Sequence, residues 1–298
     1  MKDFTGKVAV ISGGAEGIGL AIARALGEQG MQLAIGDIDS EQLEAAREEL
    51  ERSGVSVLAH PLDVASIDQW RAFTEATLER FGKVHMLVNN AGVGGNPRPI
   101  NNSSAADWRW IVDVNLMGVV YGAQEVVPHI QSHGEGGWVV NVASMAGFLS
   151  LPMASAYSAT KAAVVAMSES WRAELESTGV GVSVLCPGFV KTRINQSHRN
   201  RPQSGEDAEA KPIDPTLQKA MNDQMQAVID AGASADLIAR RVVEAVAQGE
   251  LYIVTHPNFL PAVEKRFDGI AGAFRRASNS ELLQDLVNEP IPGFDSAN

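Results

Sequence analysis

Short, nearly continuous apolar runs punctuate the chain. They are Lys7-Val-Ala-Val-Ile-Ser12, Gln32-Leu-Ala-Ile-Gly36, Val55-Ser-Val-Leu-Ala59, His85-Met-Leu-Val-Asn89, Gly137-Trp-Val-Val-Asn-Val142, Gly179-Val-Gly-Val-Ser-Val-Leu185 and Leu251-Tyr-Ile-Val-Thr255. Runs this short and this apolar mark strands covered on both faces, the habit of parallel sheets. Between them the apolar positions recur every three or four residues, which predicts helices over 20–28, 40–52, 66–81, 104–130, 215–230 and 234–247, with another around 155–164. Strands alternating with helices predict an α/β protein.

Two stretches break the rhythm. Residues 193–232 are long and polar, and a segment of that length inside a compact domain is usually a lid or a disordered insert. Leu217, Met221, Met225 and Ile229 then recur every four residues, so one face of the 215–230 helix suits a hydrophobic pocket or a simple anchor equally well. Residues 256–298 form an extension with a helical pattern over 260–274 and a polar end. No repeat or low-complexity linker divides the chain, so one domain over 1–298 is expected.

Composition narrows the classes of partner. Of 298 residues, 45% are hydrophobic, enough for a full core. The formal charge of −12 repels phosphate backbones and anionic lipids, so no nucleic-acid or membrane partner is expected. The single cysteine, Cys186, rules out an intramolecular disulfide and reads as a buried inert thiol in a strand. Met-Lys-Asp-Phe-Thr-Gly-Lys enters the first strand without an apolar leader, and no run reaches the ~18 residues a bilayer span needs. A cytoplasmic protein is expected.

Three features carry candidate chemistry. Tyr157 and Lys161 lie four residues apart on a helix, hence on one face, and an ammonium beside a phenol favours the phenolate. Chance places that pair on many helices. Gly13-Gly14-Ala-Glu16-Gly17-Ile18-Gly19 follows a strand and opens a helix; such a turn lets a pyrophosphate approach the backbone and the helix N-terminus. Packing glycines in a tight turn are the plain alternative. Asp37, after the second strand, is placed to accept hydrogen bonds from an adenosine ribose, or to serve as a turn residue. Its carboxylate, with Glu16 as a second negative charge, disfavours a 2′-phosphate. His129 and His133 have metal-like spacing but no third ligand nearby, so no metal is expected.

Gly13-x-x-x-Gly17-x-Gly19 together with Tyr157-x-x-x-Lys161 resembles the compact single-domain branch of the short-chain dehydrogenase/reductase family, over roughly residues 7–255. The resemblance implies a Rossmann-type doubly wound sheet of seven parallel strands with helices on both faces. It implies a catalytic group of Asn115, Ser144, Tyr157 and Lys161. Asn115 kinks its helix and holds a water; Ser144 binds the substrate oxygen; Tyr157 moves the proton; Lys161 tunes the phenol and binds the nicotinamide ribose. It also implies a dinucleotide cradle of Ser12, Gly13, Gly14, Glu16, Gly17, Ile18, Gly19, Asp37 and Ile38. Asp63 and Val64 join it at the adenine, Asn90, Ala91 and Gly92 along the adenosine side, and Pro187, Gly188, Val190 and Thr192 at the carboxamide, with Tyr157 and Lys161. NAD is the expected cofactor.

Met145, Phe148, Met153 and Phe189, beside Ser144 and Tyr157, suggest a bulky, mostly apolar secondary alcohol or ketone. The long insert and the tail are similar to bacterial dehydrogenases of benzylic alcohols in lignin-type aryl ethers; hydroxysteroid-type alcohols are the rival. A sugar-nucleotide epimerase is disfavoured by the glycine spacing, and a non-catalytic NAD-binding regulator by the intact group of four. Family members pair through the helices carrying Asn115 and Tyr157, so a homodimer or homotetramer is expected.

Overall fold

A computed structural model describes residues 1–201 and 214–290. Seven strands form one parallel sheet in the order β3-β2-β1-β4-β5-β6-β7. They are β1 (Val8–Ser12), β2 (Gln32–Asp37), β3 (Val57–Pro61), β4 (Met86–Asn89), β5 (Gly137–Val142), β6 (Val180–Cys186) and β7 (Tyr252–Val254). The helices are α1 (Gly17–Glu28), α2 (Ser40–Arg52), α3 (Ile67–Phe81), α4 (Ala105–Val112), α5 (Gly118–Ser132), α6 (Ser155–Leu175), α7 (Pro215–Asp230), α8 (Ala235–Gln248) and α9 (Leu260–Ser278).

Both faces of the sheet are buried, and the period of two along each strand sorts its side chains between them. Ala9, Ile11, Leu33, Ile35 and Val140 join the core beneath α1 and α8. Val10, Ala34, Leu87 and Val139 join the other, with Trp70 and Phe73 of α3. Ser66, Ser104 and Ser234 cap α3, α4 and α8 by accepting from backbone N–H groups three residues on.

β3 lies two residues later than its apolar pattern predicts. Val55 instead covers Gly27, where a Cβ would come within 2.7 Å of it. Pro61 can close β3 because the strand lies at the sheet edge, where a missing N–H costs nothing. The expected 104–130 helix is interrupted by a π-helical turn, Asp113–Met117, between α4 and α5.

Strand order reverses between β1 and β4, and in open α/β sheets the ligand crevice forms outside the carboxyl ends at that point. The chain divides into two compact units, Met1–His256 and Pro257–Asn298. Among described residues the second contains α9 and a 3₁₀ segment, Glu281–Leu286. The polar stretch of the expected lid, 202–213, and the last residues, 291–298, lie outside the described residues. Among the described residues, no helix is long and apolar enough to cross a membrane.

Candidate active site

The turn after β1 and the exit from β4 are laced together. Asn90 Nδ2 donates to the carbonyls of Ser12 (3.0 Å) and Gly13 (2.8 Å), while Ser12 Oγ accepts from the N–H groups of Asn90 and Ala91. The glycines follow from this closeness. A Cβ on Gly19 would lie 2.0 Å from the Gly13 carbonyl oxygen, and Gly13 has a φ of 63°. Helix α1 starts at Gly17 with no side-chain cap and no acidic residue in its first turn. A bare helix N-terminus beside backbone that a Cβ would block is a cradle that fits a dinucleotide pyrophosphate.

Asp37 ends β2 next to this turn. Its carboxylate accepts from Ala15 N–H (3.2 Å) and Asp39 N–H (3.1 Å), and burial pushes its pKa up. Asp39, not Asp37, caps α2. Ile38 is half exposed beside it. Asp63 accepts from Ala65 N–H at 3.0 Å, and Val64 is buried against Gly118 of α5.

The second negative charge expected at this turn, Glu16, does not stand alone. Its carboxylate is paired with two guanidiniums, one oxygen with Arg193 and the other with Arg199. Both arginines come from the segment after β6. That segment starts in the Pro187–Thr192 loop, held by a bridge between Val190 and Ala233 and by Gly188 N–H donating to His256 Nδ1 at 3.1 Å. Thr192 sits over Gly17: its methyl lies 3.2 Å from where a Gly17 Cβ would be.

The four expected catalytic residues converge at the carboxyl edge of β4 and β5. Asn115, in the π turn and fully buried, clasps Val93 in both directions: Oδ1 accepts from its N–H (2.8 Å) and Nδ2 donates to its carbonyl (2.9 Å). A Cβ on Gly92 would meet Asn115 Oδ1 at 3.3 Å and Lys161 Nζ at 3.4 Å, so both side chains border the same backbone. Lys161 Nζ donates to the Val142 carbonyl at 2.9 Å and lies 5.7 Å from the centre of the Tyr157 ring. Ser144 Oγ accepts from Ala146 N–H at 3.1 Å, donates to the Pro187 carbonyl at 3.5 Å and lies close enough to the Tyr157 phenol to influence its pKa.

Burial reverses one electrostatic expectation. It pushes the Tyr157 phenol above its ordinary value, with the Ser144 hydrogen bond pulling partly back. It pushes Lys161 down to about 8. Desolvation, invisible in a spacing of four residues, outweighs the Ser144 hydrogen bond.

Tyr157 opens onto a shallow cleft lined by Asn96, Arg98, Trp108, Ile111 and Met153, among others. Met153 has a φ of 65°, a left-handed backbone that side chains rarely adopt, and its carbonyl accepts from Arg98 N–H at 2.8 Å. No motif marks Arg98 or Trp108 in the sequence, and Trp108 both lines the cleft and packs on the cluster of Val93, Ile111 and Ala156. Of the other residues expected at the substrate, Met145 is buried, Phe148 packs against Tyr252 at 6.1 Å, and Phe189 is partly exposed. On α7, Ile229 is buried and Met225 exposed.

At the opposite edge of the sheet His85, His133 and Glu135 cluster, without His129. His85 Nδ1 accepts from Val8 N–H, so Nε2 carries the proton donated to Glu135. His133 accepts from Glu135 N–H and donates to the Val84 carbonyl. All four ring nitrogens are committed to hydrogen bonds.

A parallel sheet with a glycine turn at its switch point is the architecture of dinucleotide-binding α/β proteins. The family model described as short chain dehydrogenase matches residues 7–203, and the chain belongs to that family. It is 36% identical to a CLA biosynthesis dehydrogenase/reductase of Lactiplantibacillus plantarum, over 89% of this chain and 93% of that protein. It is 30% identical to a C alpha-dehydrogenase of a Sphingobium species, over 91% and 87%. A solved short chain dehydrogenase/reductase from Burkholderia phymatum, in complex with NAD, is 39% identical with a TM-score of 0.84, over 91% of this chain and 96% of that one.

Proposed function

We propose that this oxidoreductase interconverts a secondary alcohol and a ketone with NAD, on a bulky apolar or aromatic substrate. The observation that carries the reading is the convergence of Asn115, Ser144, Tyr157 and Lys161 beside the cleft at the sheet's carboxyl edge. The glycine turn, Asp37 and Thr192 would hold the dinucleotide, which when bound supplies the hydride acceptor or donor. Tyr157 takes the proton from the substrate hydroxyl in oxidation and returns it in reduction. Ser144 donates a hydrogen bond to the substrate oxygen, where charge develops. Lys161, charged below pH 8, stabilises the phenolate against the cost of burial. Asn115 fixes the backbone at Val93 and so shapes the wall beside Lys161.

The NAD-bound relative and the Asp37 carboxylate support NAD over NADP. The C alpha-dehydrogenase relative, with Trp108 and Met153 in the cleft, supports an aryl-bearing alcohol. A cytoplasmic homodimer or homotetramer, pairing through the helical segments that carry Asn115 and Tyr157, completes the reading. The test is an NADH-production screen over aryl, steroid and aliphatic secondary alcohols with the protein and its Tyr157→Phe variant. Turnover on an aryl alcohol that vanishes in the variant, with NADH binding retained, is expected. Unimpaired turnover in the variant would remove the proton-transfer role.

A further inference from the structure

The ion cluster at Glu16 is unbalanced: two guanidiniums converge on one carboxylate. Local geometry explains the convergence. Residues 194–200 form a 3₁₀ helix with three residues per turn, and Arg193 and Arg199 are six residues apart, two full turns, so they share a side. Arg199 also donates to the Arg193 carbonyl (3.4 Å), which ties the pair together. The segment is fixed further on, where Ser197 Oγ accepts from Gly94 N–H at 2.9 Å and Arg201 pairs with Asp107 at 2.9 Å over the Trp110 ring.

The cluster's position gives it meaning. Glu16 is the N-cap residue of α1, yet its side chain makes no capping bond; it faces the arginines instead. The first-turn N–H groups of α1 are thus left to a ligand, with two guanidiniums beside them. Asp37, close enough to feel the Glu16 charge, is turned to the N–H groups of Ala15 and Asp39. The three paired side chains retain 27–41% exposure, so their ion pairs are solvent-screened and weak. A pyrophosphate diester carries two negative charges, and each phosphate matches the planar fork of one guanidinium better than a shared carboxylate does.

We propose that Arg193 and Arg199 are ligands for the pyrophosphate of the bound dinucleotide, and that Glu16 is a placeholder holding both guanidiniums at the glycine turn until the phosphates displace it. The inference rests on the cofactor reading above and adds two binding residues and an exchange of partners to it. Glu16, partly exposed, turns to solvent when displaced. Its charge therefore opposes dinucleotide binding slightly rather than setting NAD against NADP, a choice left to Asp37.

The experiment is equilibrium binding to the full chain: NADH by its fluorescence, ADP and adenosine by calorimetry. Arg193→Gln and Arg199→Gln should each weaken NADH and ADP about tenfold and leave adenosine unchanged, the loss of one charge-assisted pair. Glu16→Gln should tighten NADH and ADP severalfold, because the competitor is gone. Unchanged ADP affinity in both arginine variants, with wild-type NADH binding intact, overturns this proposal alone. So does a Glu16→Gln variant weakened as much as the arginine variants, which would make Glu16 a scaffold. Wild-type protein that binds no NADH overturns this proposal and the cofactor reading together.

Discussion

Replacing Lys161 with methionine should raise the stability of the protein at pH 7 while abolishing turnover. The ammonium is buried, and its pKa falls from 10.5 to about 8. That difference corresponds to roughly 3 kcal/mol of destabilisation wherever both folded and unfolded states are protonated, that is, below pH 8. Methionine fills nearly the same volume without charge. The Val142 carbonyl loses its donor, at a cost of about 1–2 kcal/mol. The net gain at pH 7 is about 1–2 kcal/mol, a few degrees in melting temperature for a chain of this size. The pH dependence is the sharper test. Between the folded and unfolded pKa values the unfolded state binds more protons, so wild-type stability rises with pH relative to the variant. The variant's advantage should shrink by about 2 kcal/mol from pH 7 to pH 9.5. Urea melts of both proteins at several pH values measure it. An advantage that stays constant or grows with pH would refute the assignment of a destabilising buried ammonium.

Other expectations are simpler. Gly19→Ala should cut NADH affinity at least tenfold, since its Cβ would fall 2.0 Å from the Gly13 carbonyl and force the turn open; a fluorescence titration matching wild type would detach the turn from the cofactor. Met153→Asn should stabilise by about 1 kcal/mol, because asparagine tolerates the left-handed backbone that methionine adopts at φ 65°. A lower melting temperature would count against strain there. Asp37→Ser should raise kcat/KM for NADP relative to NAD by at least tenfold, measured on one alcohol. Ser144→Ala should lower kcat about a hundredfold, as for loss of one donor to a developing oxyanion.

The strands and helices of the sheet were readable because burial on both faces leaves nearly unbroken apolar runs, and because serine caps mark helix starts. Where a single residue turned away, the pattern misled: Val55 looked like strand but serves as a lid on Gly27. Motif order alone singled out the group of four, and the fold brings them together from different settings: Ser144 just after β5, Tyr157 and Lys161 in the first two turns of α6, and Asn115 inside the π turn. The Glu16 pairing was not, because its partners lie 177 and 183 residues away and ordinary arginines carry no motif. Nor was the direction of the Tyr157 shift, which depends on how completely the fold shuts out water. Trp108 and Trp110, two residues apart, take different tasks: one lines the cleft and the other lies beneath Arg201.

The turn at Asp113–Met117 is, in effect, one residue too many for a regular helix. That surplus rotates the later half by about 100° against the earlier. It allows Trp108 and Ile111 to face the cleft while Gly118, Gly122 and Val126 stay pressed on the body of the protein. Excising one residue there would mend the hydrogen-bond ladder and yield a straighter rod. The same repair would swing Asn115 off Val93, so perfect regularity and a working wall beside Lys161 are mutually exclusive in this chain.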